Sequence, residues 1–130
     1  MKYRITSLAQ AFVCLALVAG PTIAHSQGSG TAPSAQVARG KLLFEKNCVV
    51  CHKTDGSGGV QLGDVKSADL DPPGLENQYH HDNKLLERAI LDGKDEEGGD
   101  LESVMPRWRG RLTPGRVADI IAYVKTLHTS

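Results

Sequence analysis

The stretch Cys48-Val49-Val50-Cys51-His52 constrains this chain more than any other part of the sequence. Its spacing is C-x-x-C-H, the pattern by which a polypeptide attaches a c-type haem. The two thiols can each add to one vinyl group of the porphyrin, and the histidine that follows can then bind the iron. The motif therefore predicts one covalently bound haem c, held by Cys48 and Cys51, with His52 as an axial ligand of the iron.

Two other kinds of site use a pair of cysteines at this spacing. A zinc knuckle requires two further Cys or His residues at a second paired spacing. A thioredoxin-like redox pair lies in a βαβ pattern. The sequence shows neither feature, so haem attachment is the favoured interpretation.

The first residues have the pattern of a secretory signal peptide. A basic start precedes an apolar run at 8–19, and small residues follow near Ala24 and Ser26. The run is too short for a typical membrane span. We expect residues 1–26 to be a signal peptide cleaved after Ala24 or Ser26, with an uncleaved membrane anchor as the alternative.

The rest of the chain divides into a short leader and one domain. Residues 27–33 are rich in Gly, Ser and Thr and predict a flexible leader. Residues 34–130 are expected to form the haem domain. Covalent haem attachment takes place outside the cytoplasm in bacteria, so the export signal and the haem motif support one another. We therefore expect a periplasmic protein.

Charge gives weaker information about partners. The chain has 15 basic and 15 acidic residues and only 5% aromatic residues, so nothing favours nucleic-acid binding. The two signs are separated along the sequence, with acids concentrated in 92–102 and arginines in 105–130. This asymmetry predicts a dipolar molecule that could be steered to a partner, although ordinary solvated faces give the same pattern.

Three segments are predicted to be helices because apolar residues recur in them at helical spacing. They cover about 35–46, about 83–91, and a segment that begins at Pro114 and continues to about Leu127. No stretch shows convincing strand alternation, so the fold class is expected to be all-α. The expected N-caps are Ser34, then Asp82 or Asn83, and Thr113.

The segments between these helices are expected to be loops. Residues 53–63 are rich in glycine and should run close to the haem edge, and residues 71–75 predict a turn. A ligating histidine usually donates its other ring N–H to a carbonyl or carboxylate. Pro73 is the expected acceptor for His52, with a plain turn as the alternative. The acidic stretch 94–103 is expected to be an exposed loop without an assigned role.

Met105 is the leading candidate for the second axial ligand of the iron. Met1, the only other methionine, lies in the predicted signal peptide. A protein ligand at this position gives an electron carrier, whereas an open position lets small molecules bind and react. A methionine is also a common core residue. His80 and His81 are rival ligands, but their polar surroundings favour surface or turn roles.

Together these residues resemble the class I cytochrome c family over about 34–127. That family has an all-α fold in which the first and last helices cross at a glycine and an aromatic residue. The resemblance therefore implies three main helices and loops around one covalent haem, with His and Met ligands and a proline carbonyl bonded to the histidine. The residues that carry the likeness are Gly40 and Phe44, the haem motif, Gly56 and Gly58, Pro73 and Leu75, Met105 and Pro106, and 119–124, which includes Tyr123.

Trp108 lies outside the motifs of the family. We expect its indole N–H to lie near a haem propionate, together with Arg107 or Arg109. Packing in the core is an equally good interpretation of the tryptophan, and a solvated surface position is an alternative for the arginines.

The resemblance implies electron transfer rather than enzymatic catalysis. The expected protein is a periplasmic single-electron carrier that docks transiently with a redox donor and a redox acceptor, without stable membrane insertion after signal cleavage. The alternative is a dedicated haem c subunit of a periplasmic dehydrogenase or reductase complex. A haem enzyme or gas sensor is disfavoured because no distal His/Arg pair of peroxidase type is recognisable.

Overall fold

The computed structural model describes residues 34–127, and the predicted signal peptide and leader lie outside this range. The described segment is mostly helical, as expected, with one small sheet. Among these residues, no helix is both long and apolar enough to cross a membrane. In chain order the elements are α1 (Ala35–Asn47), α2 (Val49–His52), β1 (Gln61–Leu62), β2 (Val65–Lys66), α3 (Pro72–Gln78), α4 (Asn83–Asp92) and α5 (Pro114–Val124).

The three predicted helices form, and their caps explain where they begin. A side-chain oxygen at each N-cap accepts a hydrogen bond from a backbone N–H two or three residues further on, which satisfies a donor that has no partner within the helix. At its other end, α4 stops at Gly93, whose φ of 66° is left-handed. The pairs are Ser34 with Val37, Asp82 with Lys84, and Thr113 with Arg116.

Helices α1 and α5 cross at Gly40, as the resemblance implied. A Cβ atom at Gly40 would lie 1.9 Å from the carbonyl oxygen of Asp119 and 2.9 Å from the Cβ atom of Tyr123, so only glycine permits this contact. The rings of Phe44 and Tyr123 pack with their centroids 5.4 Å apart. Beside them, the Arg39 guanidinium donates to both carboxylate oxygens of Asp119, at 2.9 and 3.0 Å, and lowers the pKa of that buried carboxyl.

The apolar stripes of α4 and α5 supply most of the core. The stripe of α5 repeats every three or four residues and is buried along its whole length, which is the behaviour expected of a core helix. These buried residues form one continuous cluster with Phe44 of α1 and with Tyr79. From α4 and α5 the buried members are Leu86, Ala89, Leu91, Val117, Ile120, Ile121 and Val124.

Two segments differ from the sequence prediction. Residues 71–75 were expected to form a turn, but they begin α3, so that prediction is wrong. Pro72 and Pro73 occupy the first two positions of the helix, where a backbone N–H has no partner within the helix. The missing N–H groups therefore cost nothing there, and the fixed φ of proline suits a helix. The glycine-rich loop also continues into an antiparallel pair, β1 with β2. Strands of two residues are too short to show alternation in a sequence.

Candidate functional site

The haem motif lies at the wall of a cavity of about 280 Å³ between the helices. All five helices, the segment around the small sheet, and the loop before α5 contribute to its lining. Most of the contributing side chains are apolar. The chemically distinctive lining residues are Cys48, Cys51, His52, Tyr79, Met105 and Trp108.

Cys48 lies at the junction where α1 ends and α2 begins, and Cys51 lies within α2. Both are half-buried free thiols. Burial, with a smaller contribution from the neighbouring Cys51, raises the pKa of Cys48 to about 11. No group of three or more His, Cys, Asp and Glu side chains that could hold a metal ion occurs within residues 34–127. The short helix therefore presents two thiols three residues apart to an apolar space, as covalent haem attachment requires.

His52 is the last residue of α2 and is buried. Its ring Nδ1 lies 2.9 Å from the carbonyl oxygen of Ala68. A carbonyl can only accept, so Nδ1 carries the proton and Nε2 keeps its lone pair. Burial lowers the pKa of His52, which favours the neutral imidazole that binds a metal. The side chain is thus fixed in the tautomer needed for ligation through Nε2.

The predicted acceptor for His52 is wrong, because the structure places the Ala68 carbonyl there rather than that of Pro73. Pro73 lies in the first turn of α3, where carbonyl groups point along the helix axis. It is also exposed, and it does not contribute to the lining of the cavity within the described segment. The sequence pointed to the wrong residue because a proline pair is a visible signal and an alanine carbonyl is not.

The segment 58–70 contains β1 and β2, and we call it the strap. It returns alongside α2 and brings Ala68 to His52. Its close approach depends on Gly58, whose φ is +55° and at which a Cβ atom would lie 2.1 Å from the Ala68 carbonyl oxygen. The prediction that residues 53–63 run close to the haem edge stays a prediction, although Leu62 does line the cavity.

Met105 lies in the loop before α5, and its side chain lines the same cavity as the haem motif. Its backbone N–H donates to Glu102 at 2.9 Å, which forms a turn. The loop is then fixed to the end of α4, because Trp108 and Arg109 donate to the carbonyls of Ile90 and Leu91. The fold thereby brings Met105 to the cavity from a distant part of the chain.

His80 and His81 occupy the turn after α3 and are exposed, as their polar surroundings predicted. Both have left-handed backbones, with φ of 54° and 57°. His81 lies 3.2 Å from a carboxylate oxygen of Glu76, which also binds Lys125 at 2.9 Å. Neither histidine lines the cavity within the described residues, whereas Met105 does.

Trp108 lines the cavity, but the neighbouring arginines do not. Arg109 forms an ion pair with Asp92, and Arg107 forms one with Asp100 at 3.0 Å. The expected position of these arginines at a propionate therefore has no support in this arrangement. The pairs also join the acidic and basic stretches in space, so part of the charge that is separated along the sequence is paired in the fold, and the dipolar character of the molecule stays a prediction.

The acidic loop 94–103 is folded rather than open. Asp95 accepts from the backbone N–H groups of Glu97 and Gly99, and the Arg88 guanidinium donates to the carbonyls of Asp95 and Glu96. Lys94 pairs with Asp100 at 3.0 Å. This loop therefore packs against the end of α4 and supports the segment that leads to Met105.

Sequence reasoning missed Tyr79 as a cavity residue. It follows α3, is 95% buried and lines the cavity together with Leu75. Burial raises the pKa of Tyr79, and the nearby Glu96 and Asp95 carboxylates add to the effect. The four-residue spacing from Leu75 to Tyr79 after a proline pair was the signal that could have found it.

The residues at this cavity fit a c-type haem. The chemistry is complete in one place: two thiols for the vinyl groups, an imidazole with a free Nε2, and a thioether as a second possible donor to iron. The surrounding side chains are largely apolar, which suits the porphyrin ring. The fit therefore rests on the donor set and its setting as well as on the sequence motif.

Comparison with known proteins gives the same answer. Residues 37–128 match the family model described as Cytochrome c. The chain is 34% identical over 101 residues to the Cbb3-type cytochrome c oxidase subunit FixP of Azorhizobium caulinodans and 30% identical over 103 residues to that of Bradyrhizobium diazoefficiens. These matches cover 76% and 77% of this chain but only 30% of each relative. Cytochrome c6 of Nostoc sp. is 30% identical over 97 residues, which cover 74% of this chain and 75% of that protein.

The geometry and the family match agree on the cofactor and on the class of function. The cavity holds the thiol pair and the buried histidine of the C-x-x-C-H motif, and the fold is a mostly helical domain of the expected kind. The chain belongs to the cytochrome c family, as a class I c-type cytochrome that carries covalently bound haem c and transfers electrons.

Proposed function

We propose that this protein is a single-electron carrier, not an enzyme, whose haem iron is ligated by His52 and Met105. The observation that supports the proposal is that both side chains line one cavity with Cys48 and Cys51. Bound haem supplies the one-electron chemistry, and a His/Met pair raises its reduction potential relative to harder ligands. When haem is bound, Cys48 and Cys51 would hold the ring through thioether bonds, His52 would offer Nε2 to the iron, and Met105 would offer its thioether as the second protein ligand.

Carbon monoxide binding tests the second ligand. In the reduced wild-type protein Met105 should block the iron, so we expect slow and weak binding of carbon monoxide. Met105→Ala should bind it readily and lose the weak sulfur-to-iron absorption band of the oxidised protein. The matched control is Val104→Ala, which removes the neighbouring cavity side chain and leaves the thioether. Ready binding by the wild-type protein would contradict the proposal.

We also place the mature protein in the periplasm, with residues 1–26 as a cleaved signal peptide. The support is the sequence pattern of residues 1–26. Expression in a bacterium that attaches haem c, followed by fractionation and N-terminal sequencing, tests this. The expected mature protein is periplasmic and begins near residue 25 or 27. A full-length protein in the membrane fraction would show an uncleaved anchor instead.

The contact with redox partners is proposed to lie where the haem motif and the Met105 loop reach the surface. Val50, inside the motif, is 81% exposed, and Val104, which also lines the cavity, is 41% exposed. Exposed apolar residues at a cofactor edge suit a brief contact that buries less than about 1,200 Å². Val50→Lys should therefore slow electron exchange with the native partner without changing the reduction potential.

A second candidate function is a haem c subunit of a larger complex. The similarity to FixP subunits of cbb3-type oxidases favours it, although this chain spans less than a third of their length. Size-exclusion chromatography of protein from the native source separates the two functions. A carrier elutes as a small single species, whereas a subunit elutes in a larger complex together with its partner.

A further inference from the structure

The residue that accepts the hydrogen bond from His52 has no feature of its own that holds it in place. Ala68 is exposed, and its side chain has no polar group. The resemblance to class I cytochromes implied a proline carbonyl in this role, and the ring of a proline fixes its own φ near −65°. An alanine has no such restriction. The position of the Ala68 carbonyl must therefore be set by its neighbours in the strap.

Ser67, the preceding residue, makes four hydrogen bonds that fix it. Its Oγ donates to the carbonyl oxygen of Cys51 at 2.7 Å and accepts from the N–H of Val60 at 2.9 Å. Its backbone N–H donates to Val60, and its carbonyl accepts from Gly59, both at 2.9 Å. Ser67 is thus tied both to the other side of the strap and to the haem motif.

Ser67 and Ala68 contact the haem motif in the order in which its residues occur. Ser67 binds Cys51 and Ala68 binds His52, so two consecutive strap residues hold two consecutive residues of the haem motif. The backbone N–H of Gly58 adds a third bond, to the His52 carbonyl at 3.2 Å. A Cβ atom at Gly58 would also lie 2.9 Å from the Ser67 carbonyl oxygen, so the strap is held at its closest approach.

We propose that Ser67 is a positioning residue that holds the Ala68 carbonyl at Nδ1 of His52 and thereby lowers the reduction potential of the haem. The inference rests on the proposed ligation of the iron by His52. A carbonyl that accepts from Nδ1 makes the imidazole a stronger donor and fixes its ring orientation. A stronger donor favours the oxidised iron, since that state carries the larger charge. Loss of the Ser67 hydroxyl lets the strap move and weakens this effect.

The test compares Ser67→Ala with two controls in the haem-loaded protein. Ser67→Thr keeps the hydroxyl. Ser57→Ala removes a hydroxyl from the loop just before the strap, where it bonds Asp55 rather than the haem motif. Potentiometric titration should show that Ser67→Ala shifts the ratio of reduced to oxidised protein toward the reduced form by up to about tenfold, which is about 59 mV for a one-electron couple. Both controls should stay near the wild-type potential.

Proton exchange gives a second readout, of the hydrogen bond between His52 and Ala68 itself. The Nδ1 proton of His52 should exchange slowly with deuterated solvent in the wild-type protein and faster in Ser67→Ala, as followed by NMR. If Ser67→Ala does not fold, the wild-type exchange rate and the Ser67→Thr potential still decide the matter. Fast exchange in the wild-type protein, or a changed potential in Ser67→Thr, would then overturn the inference.

Different results would overturn the proposed ligation of the iron and the proposed role of Ser67. A wild-type spectrum without His and Met ligation would overturn the proposed function itself. A low-spin His/Met spectrum, combined with the same potential and exchange rate in Ser67→Ala as in Ser57→Ala, would overturn only the role of Ser67.

Discussion

His52 and Met105 line the same cavity, but the chain holds them very differently. His52 is buried, belongs to a helix, and has its ring nitrogen bonded to the strap. Met105 is half-buried in a loop, where its own backbone makes one short-range bond, to Glu102. Its neighbours Val104 and Pro106 are exposed. The His52 side of the cavity is therefore fixed by bonds to His52 itself. The Met105 side, which is the loop around Met105, is fixed mainly by the bonds of Trp108 and Arg109 to α4.

This difference predicts which side of the cavity should open first when the fold is weakened. The His52 side combines the expected covalent attachment with hydrogen bonds from the strap, and neither depends on an exposed ion pair. The Met105 side depends on the end of α4, to which Arg109 is joined by a backbone bond and by its ion pair with Asp92. Exposed ion pairs contribute little and are screened by salt. We expect the Met105 side to open while the His52 side stays closed.

The largest expected effect comes from removing the attachment on the His52 side. Cys48→Ser combined with Cys51→Ser should abolish covalent haem, because no other thiol lies in residues 34–130. Haem staining after denaturing electrophoresis should show no coloured band. Trp108→Phe, which changes a cavity residue outside the attachment motif, should keep the band. Covalent haem in the double variant would contradict the assignment of Cys48 and Cys51 as the attachment residues.

The next largest effect tests how closely the strap packs against the haem motif. Gly58→Ala places a Cβ atom against the Ala68 carbonyl, whereas Gly63→Ala lies in the same strap, at φ +65°, with nothing within 4 Å. Both pay the cost of a left-handed backbone, about 1–2 kcal/mol. The clash at Gly58 should lower the free energy of unfolding by about 1–3 kcal/mol more. Chemical denaturation measures both, and equal losses would show that the approach of the strap is not tight.

A smaller effect concerns acid on the Met105 side. Hydrogen bonds from Arg109 lower the pKa of Asp92, and those from Lys94 and Arg107 lower the pKa of Asp100. Such carboxylates stabilise the fold above their unfolded pKa, and the contribution is lost as pH falls through the folded value. The affinity of carbon monoxide for the reduced iron, which does not depend on protonation of the added ligand, should therefore rise below about pH 4.

The matched variant for this acid effect is Asp92→Asn, which removes one of the ion pairs at every pH. It should bind carbon monoxide more tightly than the wild-type protein at neutral pH and show a smaller rise in acid. A carbon monoxide affinity that does not change between pH 7 and pH 3 would show that these pairs do not hold the Met105 side.

The parts of the fold that the sequence predicted are those governed by local rules. Helices α1, α4 and α5 have apolar stripes and capping residues, and both are visible in a single stretch of sequence. The C-x-x-C-H motif likewise lies within five residues. Gly40 was predicted to permit a helix crossing because a glycine inside a helix needs a reason, and the α5 backbone supplied it.

The parts that escaped prediction depend on contacts between distant segments. The carbonyl of Ala68 has no signature in the sequence, because the backbone of any residue could supply the same acceptor atom. Only the fold decides which carbonyl reaches His52. The pairing of Arg107 and Arg109 with aspartates of 92–100 depends on how a loop folds back on α4. Charge separated along a chain can therefore be neutralised in space, and only the fold decides.

Single-electron transfer by this protein, as proposed, depends most on an iron ligated by both His52 and Met105. Proton NMR of the reduced wild-type protein tests this directly, because the ring current of the porphyrin displaces the methyl signal of a bound methionine far upfield. Met105 is the only methionine in residues 34–130, so the assignment is unambiguous. We predict one three-proton signal in that region, which disappears in Met105→Ala. A methyl signal at the ordinary position of a free methionine would contradict the account.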